Sequence, residues 1–143
     1  MFRKKGNLHL RSCNMKLKLE TIIIFVKDVD KLKSFYVDIL ELDLIEEIKS
    51  EWVLIKAGNC QIGLHKIGKE YIASSPEAFK VDNNTKIVFE LDEDIVKVRE
   101  RLINNNVSLR EIKTFNNYAF WLCDGEDPEG NVFQLKQKKN QNI

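Results

Sequence analysis

The sequence predicts an α+β protein made of two βαβββ modules, and three observations lead to this prediction. β-branched runs of strand length open two separate stretches of the chain. A single apolar stripe with helical spacing follows each run, and three short strand-like segments follow each stripe. One helix is too little to cover both faces of a four-stranded sheet, so we expect the modules to pack together or against another subunit.

The first module is predicted over residues 15–67. Residues 17–27 (LKLETIIIFVK) have the composition of a strand, and Asp28 or Asp30 can cap the helix that follows. The helix is indicated by apolar residues on one face, namely Leu32, Phe35, Tyr36, Ile39 and Leu40. Three further strands are expected at 44–49, 52–56 and 61–66. The turns between them are expected at Glu51 and at Gly58-Asn59.

A polar stretch at residues 68–85 is predicted to be a linker, with a short helical turn at 76–79. The second module then covers residues 86–137. It opens with a strand at 86–91, and Asp92 or Asp94 can cap its helix. The apolar stripe of that helix consists of Ile95, Val98, Leu102 and Ile103. Three more strands are expected at 108–113, 118–123 and 131–136, with a tight turn at 127–130.

Composition and charge exclude several classes of protein. The 143 residues include 23 Lys and Arg against 22 Asp and Glu, and 43% are apolar. No run approaches the roughly 18–20 apolar residues of a membrane span, and the near-zero net charge argues against nucleic-acid binding. Both ends carry a net positive charge, so we expect residues 1–14 to be a leader and 138–143 a tail, both outside the fold. The acidic body between them favours a cationic or polar aromatic ligand.

The cysteines indicate a reducing compartment. The chain has three cysteines, an odd number that forms no CxxC motif: Cys13, Cys60 and Cys123. No apolar stretch of signal-peptide length follows the basic start, so we expect a cytoplasmic protein. Nothing near Cys123 predicts a lowered pKa for its thiol, and a small buried residue is the simpler interpretation.

The order of elements, together with two motifs, resembles the vicinal oxygen chelate superfamily of glyoxalases, bleomycin resistance proteins and extradiol dioxygenases. The motifs are TIIIFVKDVDKLKSFY at 21–36 and DPEGNVFQL at 127–135, and KIVFELDEDIVKVRERL at 86–102 agrees with them. The resemblance covers residues 18–137. It implies that the two modules form a curved mixed sheet around a cavity, and that two copies form a homodimer. On its own, DPEGN is typical of a plain hairpin turn.

Enzymes of this superfamily usually hold one divalent metal, which polarises two substrate oxygens. The resemblance places its ligand positions at Thr21, Gly63, Lys86 and Gln134. Thr21 offers a neutral hydroxyl and Gln134 an amide, which are weak ligands, and Gly63 offers nothing. The charge of Lys86 opposes a cation at this place. We therefore predict that the protein holds no metal.

Strand alternation, counted from the ligand positions, predicts which residues face the cavity and bind a ligand. This set consists of Thr21, Ile23, Phe25, Trp52, Gln61, His65, Lys86, Val88, Glu90, Trp121 and Gln134. The parity of Trp121 stays open, because residues 124–126 lengthen its hairpin. The two tryptophans also suit a core or an interface, Lys86 and Glu90 suit a solvated ion pair, and His65 suits a structural role.

Three functions are compatible with these observations. The first is a glyoxalase/bleomycin-resistance-like protein that binds a small organic molecule between its modules without a metal. The second is a metal-dependent lyase, isomerase or dioxygenase with a displaced site built from His65, Glu90 and Gln134. The third is an interaction module whose cavity is filled by its own aromatic residues. Whether the protein is an enzyme stays open, and the sequence identifies no catalytic residue.

Overall fold

The structure, a computed structural model, describes residues 16–69 and 85–140. Within these ranges it has eight strands and two α-helices, and the first helix continues into a π-helical segment. The elements are β1 Thr21–Val26, α1 Val29–Lys33, the π-helical segment Ser34–Ile39, β2 Asp43–Ile48, β3 Trp52–Ala57, β4 Cys60–Lys66, β5 Ile87–Leu91, α2 Ile95–Asn104, β6 Ser108–Leu109, β7 Phe120–Glu126 and β8 Val132–Lys138.

The strands form two four-stranded sheets with the same arrangement. The first sheet has the order β1-β4-β3-β2, and the second has the order β5-β8-β7-β6. In each sheet the first strand lies parallel to the last one, and the other neighbours are antiparallel. The predicted pair of βαβββ modules is therefore confirmed.

The helix caps resolve two alternatives that the sequence left open. The side chain of Asp28 accepts a hydrogen bond from the N–H of Lys31 and caps α1, while Asp94 does the same for α2 through the N–H of Val96. Both caps satisfy a backbone donor that has no partner within the first turn of a helix. Of the two candidate acids before each helix, the first, Asp28, caps α1, and the second, Asp94, caps α2.

Three element boundaries differ from the prediction. Strand β1 begins at Thr21 rather than at residue 17, because its partner β4 begins at Cys60 and pairs from Gln61 onward. Strand β6 has only two residues, and the chain returns to the sheet through a single bridge between Lys113 and Leu122. Residues 124–126, expected to lengthen the hairpin, belong to β7 and pair with β8.

One hydrophobic core joins the two modules on the helix side of both sheets. It includes Val26, Leu64 and Phe35 from the first module and Leu102 and Phe133 from the second. The rings of Phe35 and Phe133 lie 5.7 Å apart, so the first helix packs directly against the second sheet. Burial on this side stabilises both modules together.

The DPEGN turn reinforces this contact and is more than a plain hairpin turn. The buried carboxylate of Asp127 accepts a 2.7 Å hydrogen bond from the hydroxyl of Tyr36 in the first module. Burial and the charge of Asp127 both raise the pKa of Tyr36, so the tyrosine stays a neutral donor. The carboxylate of Glu129 accepts the backbone N–H groups of Lys27 and Asp28 at 2.8–3.0 Å. The turn therefore holds the two modules together.

Some expectations lie outside the described residues: the leader 1–14, the helical turn at 76–79 and most of the linker. Among the residues that are described, no helix has both the length and the apolar character needed to cross a membrane.

Candidate functional site

The face of each sheet that lies away from the helices carries the residues predicted to bind a ligand. On the first sheet, Thr21 is the register partner of Gln61, Phe25 that of His65, and His65 also that of Trp52. Register partners on neighbouring strands point to the same side, so these side chains share one face with Ile23. Phe25 is 55% exposed and Ile23 is 47% exposed. This face, which we call the first open face, is therefore open to solvent in the single chain.

Three rings form the most prominent feature of the first open face. The ring of His65 lies 5.3 Å from that of Phe25 and 5.9 Å from that of Trp52. The indole N–H of Trp52 donates to Glu46, which fixes the ring. His65 Nδ1 lies 2.8 Å from the carbonyl oxygen of Lys66, which can only accept, so this nitrogen donates the hydrogen bond. Such a row of rings offers a stacking surface for a planar ligand.

A glycine makes the position of Trp52 possible. A Cβ atom built on Gly63 would lie 2.5 and 2.9 Å from two atoms of the Trp52 indole, which is closer than such contacts allow. The indole thus occupies the space that a side chain at position 63 would need. The resemblance places Gly63 at a metal-ligand position, and no sequence pattern indicates that Trp52 fills the space there.

The second sheet presents a different surface, the second open face. Val88 is the register partner of Gln134 and Glu90 that of Lys136, so these residues share the face that was predicted for them. Lys86 directly precedes β5, two residues before Val88, and belongs to the same face. Val88 is 49% exposed, so this face is also open in the single chain. An enclosed pocket therefore needs a covering surface that neither face has by itself.

Asp124 lies at the centre of the second open face, and sequence reasoning missed it. The residue is 8% exposed as a whole, and its carboxylate accepts hydrogen bonds from Gln134 Nε2 at 2.9 Å and Lys86 Nζ at 3.1 Å, while Lys113 Nζ lies 3.7 Å away. Burial acts to raise the pKa of Asp124, but the two hydrogen bonds and the charges of both lysines outweigh it, so this pKa lies below its usual value. Asp124 is therefore ionised at neutral pH.

Asp124 could have been found only from the end of its strand. It is the register partner of Gln134 because β7 continues beyond residue 123, whereas the sequence pattern predicts that the strand ends there. Lys86 does form an ion pair, but its partner is Asp124 and not Glu90, as the alternative interpretation suggested.

Trp121 does not lie with the other predicted site residues. It is the register partner of Gln137, and alternation puts both on the helix side of the second sheet, opposite to Asp124. It borders a broad surface cavity beside the start of α2, near Ile95 and Ile112. The expectation that Trp121 lines the same cavity as Trp52 is therefore wrong. Residues 124–126 continue β7 in regular register with β8, and this register puts Trp121 on the helix side.

The residues at the four metal-ligand positions do not fit a divalent metal. The hydroxyl of Thr21 donates to Gln61 Oε1 at 3.1 Å, and Trp52 fills the space at Gly63. The Lys86 ammonium and the Gln134 amide nitrogen both donate to Asp124, so one of these positions carries a positive charge. Divalent metals need anionic or neutral electron-pair donors, and an ammonium is neither. The described residues also contain no cluster of three or more His, Cys, Asp and Glu that could hold a metal ion.

Cys123 has the character of a core residue. It is fully buried on the helix side, and its Sγ lies 3.2 Å from the carbonyl oxygen of Arg110. Burial raises the pKa of its thiol, which keeps it protonated and unreactive.

A further cavity lies where the end of the first helix meets the second module. Its volume is about 410 Å³, and it is mostly apolar, with a charged rim. Its wall includes Leu42, Gly58, Phe89, Leu102, Glu93 and Arg101. The last two form an exposed ion pair at 3.5 Å, which does not fix a ligand strongly.

Solved structures with the same fold include proteins of different kinds. One is a lactoylglutathione lyase from Agrobacterium tumefaciens, with 15% identity, a TM-score of 0.67, and coverage of 88% of this chain and 97% of that chain. Another is TnmS3, an antibiotic binding protein from Streptomyces sp. CB03234, with 20% identity, a TM-score of 0.67, and coverage of 87% and 99%. A third comes from the mobile metagenome of V. Pseudocholerae, with 22% identity, a TM-score of 0.66, and coverage of 88% and 98%.

At these identities the solved structures establish the fold alone. No curated protein matches the chain. The family model that matches is that of the Glyoxalase/Bleomycin resistance protein/Dioxygenase superfamily, over residues 18–135. This match covers most of the chain and both sheets, and the protein therefore belongs to the Glyoxalase/Bleomycin resistance protein/Dioxygenase superfamily.

Proposed function

We propose that this protein binds a small organic molecule on the open faces of its sheets, without a metal, and that it does so as a homodimer. The observation that carries the proposal is the row of rings on the first open face. The ring of His65 contacts that of Phe25 at 5.3 Å and that of Trp52 at 5.9 Å, and Phe25 is more than half exposed. A ligand that covers exposed aromatic groups of this kind removes apolar surface from water, which favours binding.

The mixture of apolar and polar groups supports a small-molecule site. Ile23, Phe25 and Val88 supply apolar surface, while Gln61 and Gln134 supply amides. Binding sites for small molecules are typically apolar with a few placed polar groups. One structure of the same fold is described as an antibiotic binding protein, which agrees with a role in sequestration.

The proposal of a homodimer follows from the exposure of both open faces. Ile23, Phe25, Ile48 and Val88 are each between 47% and 63% exposed in the single chain. Ile23, Phe25 and Ile48 share the first open face, and an exposed apolar surface of this kind is typical of a protein interface. A second copy that covers these faces would enclose the ligand, which a single open sheet does not do. Sedimentation equilibrium tests this part, and a monomer at all concentrations would contradict it.

The ligand site is tested by a thermal-shift screen against antibiotics and small aromatic acids, followed by fluorescence titration. The chain has two tryptophans, Trp52 in the proposed site and Trp121 on the helix side. We expect a hit to change the tryptophan emission of W121F, excited at a wavelength that tyrosine does not absorb, because Trp52 is then the only tryptophan. The matched variant W52F reports on Trp121 and should show no change. A response of Trp121 alone would contradict the site.

The absence of a metal is tested separately. Metal analysis of the purified protein and a thermal-shift series with Mn²⁺, Fe²⁺, Ni²⁺ and Zn²⁺ should show neither stoichiometric metal nor stabilisation. Stoichiometric metal would favour the alternative function, a metal-dependent lyase, isomerase or dioxygenase. In that case H65A and E90A should lose the metal, while K97A on the exposed side of α2 should keep it.

A further inference from the structure

We propose that the ligand carries an anionic oxygen group, such as a carboxylate, and that Lys86 binds this group with Lys113 beside it. This inference depends on the proposed function, since it assumes that a small molecule binds the open faces. It adds the chemical class of the ligand. It also assigns a role to the one charged residue at a family metal-ligand position.

The charges around Asp124 leave a positive excess at the surface. One carboxylate faces two ammonium groups, at 3.1 Å from Lys86 and 3.7 Å from Lys113. The side chain of Asp124 is 11% exposed, whereas those of Lys86 and Lys113 are 41% and 50% exposed. The negative charge is therefore inside and both positive charges are outside. An approaching ligand meets the ammonium groups first.

A hydrogen bond to Asp124 holds the Lys86 ammonium in place before a ligand arrives. Gln134 donates to Oδ1 of Asp124 at 2.9 Å, while Lys86 donates to Oδ2. The backbone of Lys113 forms two 2.8 Å hydrogen bonds with Leu122, and its Nζ lies 3.7 Å from Oδ2 of Asp124. An ammonium has three N–H donors, and among the described residues Lys86 uses one of them, toward Asp124. The remaining donors can bind a ligand oxygen at a small cost in conformational entropy.

The other charges on this face do not cancel the excess. Glu90 and Lys136 are register partners of opposite charge, so together they add no net charge to this face. The amine of Lys136 lies 4.1 Å from the ring centre of Phe120. Charges elsewhere on the acidic body act through water and are screened beyond about 8–10 Å at physiological salt. The local charge thus favours an anion, although the body as a whole is acidic.

An ammonium and a metal do different chemistry at this position. A metal accepts electron pairs from ligand oxygens and polarises them, whereas an ammonium donates hydrogen bonds to them. The strongest hydrogen bonds that an ammonium makes are those to oxyanions. Lys86 is therefore suited to select and hold an anionic ligand.

The experiment compares benzoate with benzamide, two probes of the same shape that differ in charge. We measure both dissociation constants by NMR titration of the wild-type protein at low and high salt. Benzoate should bind about three to ten times more tightly than benzamide, as expected for one charge-assisted contact at a partly exposed site. The preference should shrink at high salt, because the lysines are partly exposed.

The variants identify the residues that are responsible. K86Q should abolish the preference for benzoate, K86R should keep most of it because the charge remains, and K113Q should reduce it. The matched control K97Q removes an exposed lysine of α2 and should leave the preference unchanged. Unfolding temperatures verify that each variant is folded.

The outcomes separate this inference from the proposed function. Equal affinity of the wild type for both probes, or a preference that K86Q retains, would overturn the anion inference and leave the proposed function intact. Failure of both probes to perturb the open faces would count against the proposed function as well. A preference lost in K86Q and kept in K97Q supports both.

Discussion

The two sheets share one backbone arrangement but present opposite chemistry at matching positions. In the first sheet, Gly63 is the register partner of both Ile23 and Leu54. In the second, Gln134 is the partner of both Val88 and Asp124. The strand order and directions are identical. The first open face is aromatic because Gly63 admits the Trp52 indole, and the second is ionic because Gln134 and Lys86 hold Asp124.

The comparison shows that the shared topology sets which strand positions face each other, whereas the side chains at those positions set the chemistry of each face. A second contrast lies in the turns between the last two strands of each module. The DPEGN turn of the second module reaches Tyr36 and the start of the first helix. The matching turn at Gly58 in the first module is short and borders the cavity of about 410 Å³. The modules are thus joined asymmetrically.

The largest expected effect comes from making the second open face resemble the first. D124L introduces the residue type found at the matching position, Leu54. It removes the acceptor of Gln134 and Lys86, so the free energy of unfolding should fall by about 2–3 kcal/mol. Chemical denaturation measures this loss. D124N keeps the shape and one neutral acceptor and should lose less.

The pH dependence checks that the effect belongs to the ionised carboxylate. The pKa of Asp124 is lower in the folded than in the unfolded protein, so its contribution is complete above the unfolded pKa. The contribution is lost as the pH falls through the folded pKa. The stability difference between the wild type and D124L should therefore shrink in acid. A difference that does not vary with pH would contradict the ionic role.

The contact between the modules should be next in size. Y36F removes the hydroxyl that donates to buried Asp127, and the free energy of unfolding should fall by about 1.5–2 kcal/mol. Because the modules share one core, we expect a single cooperative transition in the variant. The control Y118F changes an exposed tyrosine and should have little effect. Two separate transitions in the wild type would contradict the shared core.

A smaller effect is expected at the first open face. G63A adds a methyl group where the tip of the Trp52 indole lies, so the ring must shift at a cost of about 1 kcal/mol. In the W121F background, the emission of Trp52 should change. Combining G63A with W52F should remove most of the cost. Unchanged emission in G63A would show that the ring does not fill this space.

The smallest effect tests the outer part of the DPEGN contact. E129Q weakens the acceptor for the N–H groups of Lys27 and Asp28, which should cost about 0.5–1 kcal/mol because the site is partly exposed. E93Q breaks an exposed ion pair with Arg101 and should cost even less. Equal losses in the two variants would mean that Glu129 contributes no more than a surface charge.

Much of the fold was predictable because it depends on local patterns. Alternation placed Thr21, Ile23 and Phe25 on one face, and helical spacing placed Leu32, Phe35 and Tyr36 in the core. Strand ends were less predictable. β1 begins only where β4 pairs with it, and β7 continues because β8 pairs with it. The misplacement of Trp121 and the omission of Asp124 both follow from that one strand end.

The sequence by itself determined the two modules, the position of Lys86 and the poor set of metal donors, because periodicity and residue type are local properties. The tertiary structure decided which charges meet. It paired Lys86 with Asp124, set Trp52 over Gly63 and joined the DPEGN turn to Tyr36. These contacts link residues on different elements, and register and packing, rather than local preference, bring such residues together.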